Sequence, residues 1–226
     1  MSEKSVFQSP AKTASAADDI VVVAMTAEMV RKSADIHVDA LAGSRTAIMG
    51  EAYCRAFIDW FRVEHGGIAL VAIDRHRDVV GYVIGAPLGY SKALSRHLAW
   101  IAARAFILRP WLIFRQQFRD GVLDRLRLLI AGRSTPSGAQ PEIPAPTMSL
   151  VAIGVLPAAR GRKIGLRLVQ SFENKAGELQ IRSLRLSTRS DNAAACRLYE
   201  RCGWQPSPLS NEMTYYFRIL PKSTEE

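Results

Sequence analysis

The stretch from Ser149 to Trp204 constrains this chain most, because it reads as strand, basic turn, helix, strand, polar turn, helix. Its first half sets a short apolar strand, Ser149–Val155, ahead of Pro157 and a turn holding Arg160, Gly161, Arg162, Lys163 and Gly165. Ile164, Leu168, Val169 and Phe172 then recur at helical spacing. The second half is a strand over Leu184–Thr188, a polar turn at Asp191 and Asn192, and a second helix. In that helix Ala195, Leu198 and Tyr199 share one face at the i, i+3, i+4 spacing. Gly203 is suited to end it in a left-handed conformation.

A strand that passes through a glycine-containing turn into a helix presents unpaired N–H groups at the positive end of the helix dipole. Arg160, Arg162 and Lys163 add mobile positive charge, and the combination suits a pyrophosphate or another multiply charged anion. The turn is neither a dinucleotide fingerprint nor a P-loop, since G-x-G-x-x-G and G-x-x-x-x-G-K-[ST] are both absent.

The remaining chain predicts a supporting α/β layer. Ile20–Ala24 reads as a strand, and a helix follows from Thr26 through Ile36 and Val38 to Leu41. An exposed connector over Gly43–Ile48 leads to a second helix at Gly50–Val63. Ile68–Ile73 and Val79–Ile84 form a hairpin about the loop Asp74–Asp78, with Gly81 marking a bulge or a close backbone approach. From Ser91 the pattern is helical again, with Leu94, Leu98, Ile101, Ala105 and Leu108 on one side. A further helix is expected from Trp111 to Ile130, then a proline-rich loop over Arg133–Pro146. Pro206–Pro208 reads as a turn before a last strand, Glu212–Leu220.

At 226 residues this is one domain over 20–220, with 91–146 inserted as a basic helical segment and loop. Residues 1–19 and 221–226 read as tails, the first expected to be disordered and without the apolar core of a secretory signal. The net charge of +9 is unevenly spread: nine basic residues fall between Ser91 and Arg133, opposed only by Asp120 and Asp124. Charge so confined does not make a nucleic-acid footprint, and no nucleic-acid partner is expected. Packing on the sheet or a lid over an acidic ligand ranks ahead of membrane-surface contact for 91–133. Cys54, Cys196 and Cys202 lack metal-ligand spacing, so no metal site is expected, and free thiols fit a reducing cytoplasm. A homodimer is compatible with the sequence and not required by it.

Both halves of Ser149–Trp204 resemble one family, the GCN5-related N-acetyltransferases. Val155, Pro157, Arg160, Gly161, Ile164 and Gly165 fit its Val-x-Pro-x-x-Arg-Gly-x-Gly-x-Gly turn, with Lys163 where the central glycine is usual. Asn192, Ala195, Leu198, Tyr199, Glu200, Gly203 and Trp204 fit its Asn-x-x-Ala-x-x-Leu-Tyr-Glu-x-x-Gly-Phe helix, with Trp for Phe. The resemblance implies a mixed, mostly antiparallel central sheet flanked by helices, with a helical insertion after the third strand. It implies acetyl-CoA as acyl donor and a small-molecule primary amine as acceptor, attacking directly in a ternary complex. The cofactor contacts it implies are Ile153, Gly154, Val155, Arg160, Gly161, Arg162, Lys163, Ile164, Gly165, Asn192, Ala195 and Tyr199.

Tyr199 is also the implied general acid toward the leaving thiolate, since a phenol of pKa near ~10 keeps its proton at neutral pH. Its plainer reading is a core aromatic. Strand Ser149–Val155 carries no Asp or Glu, and His37, Asp39, Glu142 and Glu212 are general-base candidates by residue type alone. The position and charge of 91–146 suggest an acidic acceptor, such as a nucleotide-linked amino sugar. Two other readings stand beside this one: a silent acyl-CoA-binding regulatory module, and an acyltransferase held at a membrane surface.

Overall fold

The computed structural model describes residues 20–42, 44–108, 143–208 and 212–221. Seven strands form one sheet: β1 (Val21–Ala24), β2 (Ile68–Ile73), β3 (Val79–Pro87), β4 (Thr147–Val155), β5 (Ser183–Arg189), β6 (Gln205–Pro208) and β7 (Met213–Ile219). Their order is β1-β2-β3-β4-β5-β7-β6, and every neighbouring pair is antiparallel except β4–β5. That exception follows from the connection. β4 and β5 are joined by helix α5 (Ile164–Glu178), and a strand–helix–strand crossover returns the chain in the same direction.

The alternation of side chains along the strands splits the core into two clusters. Leu70, Val83, Leu168 and Phe172 meet on the face covered by α5 and by α6 (Ala193–Arg201). Val71, Tyr82, Ile84, Phe57, Ile58 and Phe61 meet on the other face. That face is covered by α1 (Met29–Ala40), α3 (Glu51–Val63) and the start of α4 (Ser91–Leu108). Leu94 and Leu98 hold α4 to this cluster, as the helical spacing predicts, whereas Leu108 is exposed.

Two local expectations change, and a third, at Gly81, is met. The connector over Gly43–Ile48 contains a one-turn helix, α2 (Arg45–Ile48), because Ser44 Oγ accepts the Ala47 N–H at 3.2 Å and starts it. Pro206–Pro208 lies within β6 and not in a turn. Among the described residues this is an edge strand with a partner on one side only, so missing proline N–H groups interrupt no second ladder. Near Gly81 the ladder does slip, with Ala72 opposite Gly81 and Ile73 opposite Val79, so that Val80 is the extra residue. A Cβ on Gly81 would also lie 3.0 Å from the Gly154 carbonyl and 3.1 Å from Leu168, so the close approach is present as well. The helix expected from Trp111 to Ile130 and most of the proline-rich loop lie outside the described residues, as does Glu142.

Candidate active site

The site begins where two strands part. β4 and β5 pair only at Thr147↔Ser183, Met148↔Leu184 and Ser149↔Arg185, although β4 continues to Val155 and β5 to Arg189. The divergence coincides with a bulge in β4: Ala152 lies opposite Ile84 and Leu150 opposite Gly85, which leaves Val151 as the extra residue. A bulge bends its strand and increases local twist. Among the described residues, β4 beyond Ser149 pairs with β3 alone, and its other edge faces a fork.

At the mouth of the fork the chain passes through a 3-10 turn, Pro157–Ala159, into α5. The first intrahelical bond of α5 runs from Arg167 N–H to the Lys163 carbonyl at 3.1 Å, so Ile164, Gly165 and Leu166 have no carbonyl four residues back to bond. No side chain caps this terminus. Lys163, at the N-cap, is left-handed with φ 59° and ψ 18°, a conformation glycine adopts without strain. Across the fork α6 starts differently. Asn192 Oδ1 accepts the Ala195 N–H at 3.2 Å and closes that helix end.

Together these elements enclose a cleft of about 780 Å³. Of the residues expected to bind cofactor, Ile153, Gly154, Val155, Arg160, Gly161, Lys163, Ile164, Gly165, Asn192 and Ala195 line it. Arg162 and Tyr199 do not. The wall also includes Ala40 at the end of α1 and Leu41 just after it, and Ala194, Arg197 and Arg201 from α6, none of which the motifs single out. Ala194, Arg197 and Arg201 fall at i, i+3 and i+7, so a helical wheel drawn from Asn192 would have found that stripe. Arg160, Lys163, Arg197 and Arg201 make the wall basic, and among the described residues no carboxylate belongs to it. An uncapped helix N-terminus, four cations and an unpaired strand edge fit a long, polyanionic thioester such as acetyl-CoA.

Tyr199 is 4% exposed, with Trp204 and Tyr216 at centroid distances of 5.8 and 5.6 Å. Burial, helped by Cys202 and Cys196, holds its pKa well above that of an ordinary phenol, so it stays protonated at any physiological pH. The end of α6 is pinned behind it. Gly203 is left-handed at φ 77°, and Trp204 N–H bonds back to the Tyr199 carbonyl at 3.0 Å. The indole of Trp204 donates to Glu173 Oε1 at 2.7 Å, and Arg218 approaches the same oxygen at 3.5 Å. Burial raises the Glu173 pKa, opposed by these two donors.

At the apex of the fork Arg185 Nε donates to Ser149 Oγ at 3.3 Å, and its guanidinium carbon stands 5.9 Å from the Tyr215 ring centroid. Of the base candidates by residue type, Asp39 and Glu212 are exposed. His37 is buried, with Nδ1 2.5 Å from Tyr82 Oη and Nε2 2.6 Å from Thr46 Oγ1. Among the described residues no carboxylate or imidazole lines the cleft itself. Among the described residues no helix is long and apolar enough to cross a membrane.

Comparison with known proteins agrees with this geometry. Residues 129–204 match the acetyltransferase (GNAT) family. No curated protein matches the chain. Among solved structures, a putative acetyltransferase, yncA, from Salmonella typhimurium with its cofactor acetyl-CoA superposes at a TM-score of 0.56 and 13% identity. The match covers 92% of this chain and 97% of that one. A polyamine N-acetyltransferase from Drosophila melanogaster superposes at 0.57 and 18% identity, over 89% of this chain and 100% of that one. A spermidine/spermine N-acetyltransferase from Vibrio cholerae superposes at 0.53 and 10% identity, over 89% and 94%. The mixed, mostly antiparallel sheet is the fold these proteins share, and acetyl-CoA is the acyl donor of the family. Residues 129–204 are thus similar to the acetyltransferase (GNAT) family, and the chain around them has the fold of the solved acetyltransferases.

Proposed function

We propose that this protein transfers an acetyl group from acetyl-CoA to a primary amine of a small acidic molecule, by direct attack within a ternary complex. The observation that carries the reading is the fork. β4 turns an unpaired edge toward a basic cleft that ends on an uncapped helix N-terminus. Acetyl-CoA, when bound, supplies the activated acyl thioester. The amides of Ile164, Gly165 and Leu166, with Arg160, Lys163, Arg197 and Arg201, hold the pyrophosphate region. The N–H groups of Ile153 and Val155, which alternate away from β3, would hold the pantetheine arm beside Gly154, and one of them would polarise the acyl carbonyl. Tyr199 Oη keeps the proton that the departing thiolate requires, with Trp204 and Tyr216 fixing its ring.

The acidic character of the acceptor rests on Arg185 and on the composition of 91–133. Arg185 sits at the closed end of the fork, and Ser149 and Tyr215 are its partners; among the described residues no carboxylate engages it. A phosphate or carboxylate on the acceptor would complete it. Thiol release with a panel of amines, neutral and phosphorylated, tests the reading. Release that depends on the amine and favours the acidic members is expected. An amine used equally well with and without its phosphate would end the claim about the acceptor.

A second reading, acyl-CoA binding without transfer, draws on two observations: the left-handed Lys163 and the absence of Tyr199 from the cleft wall. Under it, acetyl-CoA binds and no amine releases thiol.

A further inference from the structure

Among the described residues the cleft presents no group that could take the proton of an incoming ammonium, yet a hydrogen-bonded chain begins beside it and ends in solvent. Tyr82 projects from β3 across β4, where its partner in register is Gly154. A Cβ on Gly154 would stand 2.6 Å from Tyr82 Cε1, so only the missing side chain lets the ring cross toward the fork. Gly154 itself lines the cleft, as do Ala40 and Leu41, one turn beyond His37 on α1. From Tyr82 Oη the chain passes to His37 Nδ1 at 2.5 Å, from Nε2 to Thr46 Oγ1 at 2.6 Å, and on to Ser44 Oγ at 3.0 Å. Tyr82 is 0% and His37 2% exposed, whereas Thr46 and Ser44 are half-buried on the outer turn.

On the reading of the protein as an N-acetyltransferase, we infer that Tyr82, His37, Thr46 and Ser44 carry the acceptor's proton from the fork to solvent. One N–H bond of the acceptor ammonium breaks and its proton joins Tyr82 Oη, as the phenolic proton moves to His37 Nδ1. The proton on Nε2 moves to Thr46 Oγ1, the Thr46 proton to Ser44 Oγ, and the Ser44 proton to water. One proton leaves, every relay atom keeps its valence, and nothing is oxidised or reduced. Before the next turnover the hydroxyls rotate back, and exchange with water restores the His37 tautomer: the ring loses its Nδ1 proton and regains one at Nε2, with no net change in protons.

The surroundings favour relay over storage. Burial holds His37 at about 4, so the imidazole is neutral with one nitrogen donating and one accepting. Burial first, then Cys54 and Tyr199, keep Tyr82 well above an ordinary phenol. The titratable groups that bear on the chain are Cys54 from α3, its thiol 3.1 Å from the Thr46 carbonyl and raised to about 11, and Tyr199 of α6, which acts on Tyr82 electrostatically. Glu173, the buried carboxylate among the described residues, lies on the opposite face of the sheet.

Thr46→Val removes one relay hydroxyl with little change of shape, and Thr46→Ser restores it. Acetyl transfer is followed against pH in both variants, with the ¹⁵N signals of the His37 ring recorded in the ligand-free proteins. Thr46→Val is expected to lower kcat by about tenfold or more where the acceptor is an ammonium. The loss should shrink as pH rises through the acceptor's pKa, KM for acetyl-CoA should hold, and Thr46→Ser should behave as wild type. The ring signals should report a neutral imidazole from pH 5 to 9, with its tautomer balance altered in Thr46→Val. A pH-independent loss, equal activity in Thr46→Val, or an imidazole that titrates near 6.5 would each overturn the relay. If wild type transfers acetyl to no amine while its His37 behaves as described, it is the enzymatic reading that fails, not the geometry.

Discussion

Tyr199 and Lys163 show how far single residues carry the chemistry. Tyr199→Phe removes one hydroxyl from a packed aromatic group, so the fold should survive. Its kcat should fall by roughly 10²- to 10⁴-fold with little change in KM for acetyl-CoA, as steady-state kinetics would show. Because the folded pKa is raised above the unfolded one, the stability linked to Tyr199 is complete below pH ~10 and fades only in stronger alkali. Lys163 occupies a left-handed position without a glycine's freedom. Lys163→Gly should therefore raise stability by about 1 kcal/mol, read from denaturant midpoints, while removing one cation from the cleft. Lys163→Ala keeps the strain and should gain nothing.

Elements couple through a few buried polar contacts, and the Trp204–Glu173 bond ties the end of α6 to α5. The tryptophan in place of the family's phenylalanine brings an N–H that needs an acceptor, and Glu173 provides it. Glu173→Leu should cost about 1–3 kcal/mol by leaving the indole unpaired, and Trp204→Phe in that background should recover much of the loss. A double-mutant cycle in denaturant checks this. Such pairing was not legible in the sequence, because Glu173 and Trp204 are far apart along the chain and neither sits in a motif position that implies the other. The helix carrying Asn192, Ala195 and Tyr199 was legible, since caps, glycine stops and i, i+4 faces are local properties. β6 was misread for the same reason: its prolines look like a turn until the sheet order makes it an edge.

For the whole molecule, acid stability should follow His37. Its folded pKa is depressed to about 4, against about 6.5 when unfolded. As pH falls through that window the unfolded chain takes up a proton that the folded one refuses, so stability is lost, by roughly 3 kcal/mol at the lower end. His37→Gln should flatten that slope in urea melts between pH 7 and 4. The order β4–β5 around a crossover helix, and hence the fold, follows from the strand–turn–helix–strand pattern of Ser149–Trp204. The fork within that pair does not, because it arises from an extra residue at Val151 that no local pattern marks. Nor was the basic stripe Arg197 and Arg201 recognised as part of the site, since only the fork brings it opposite α5.

The central claim is that this fork holds acetyl-CoA. It is tested most directly by following backbone ¹⁵N–¹H signals as acetyl-CoA is titrated into the protein. The account predicts one saturating site, with the largest shifts at Ile153–Val155 and Gly161–Leu166 and at the start of α6, and a weaker affinity in Arg197→Glu. Unmoved amides in those three segments at millimolar acetyl-CoA, or saturating shifts confined to another part of the sheet, would contradict it.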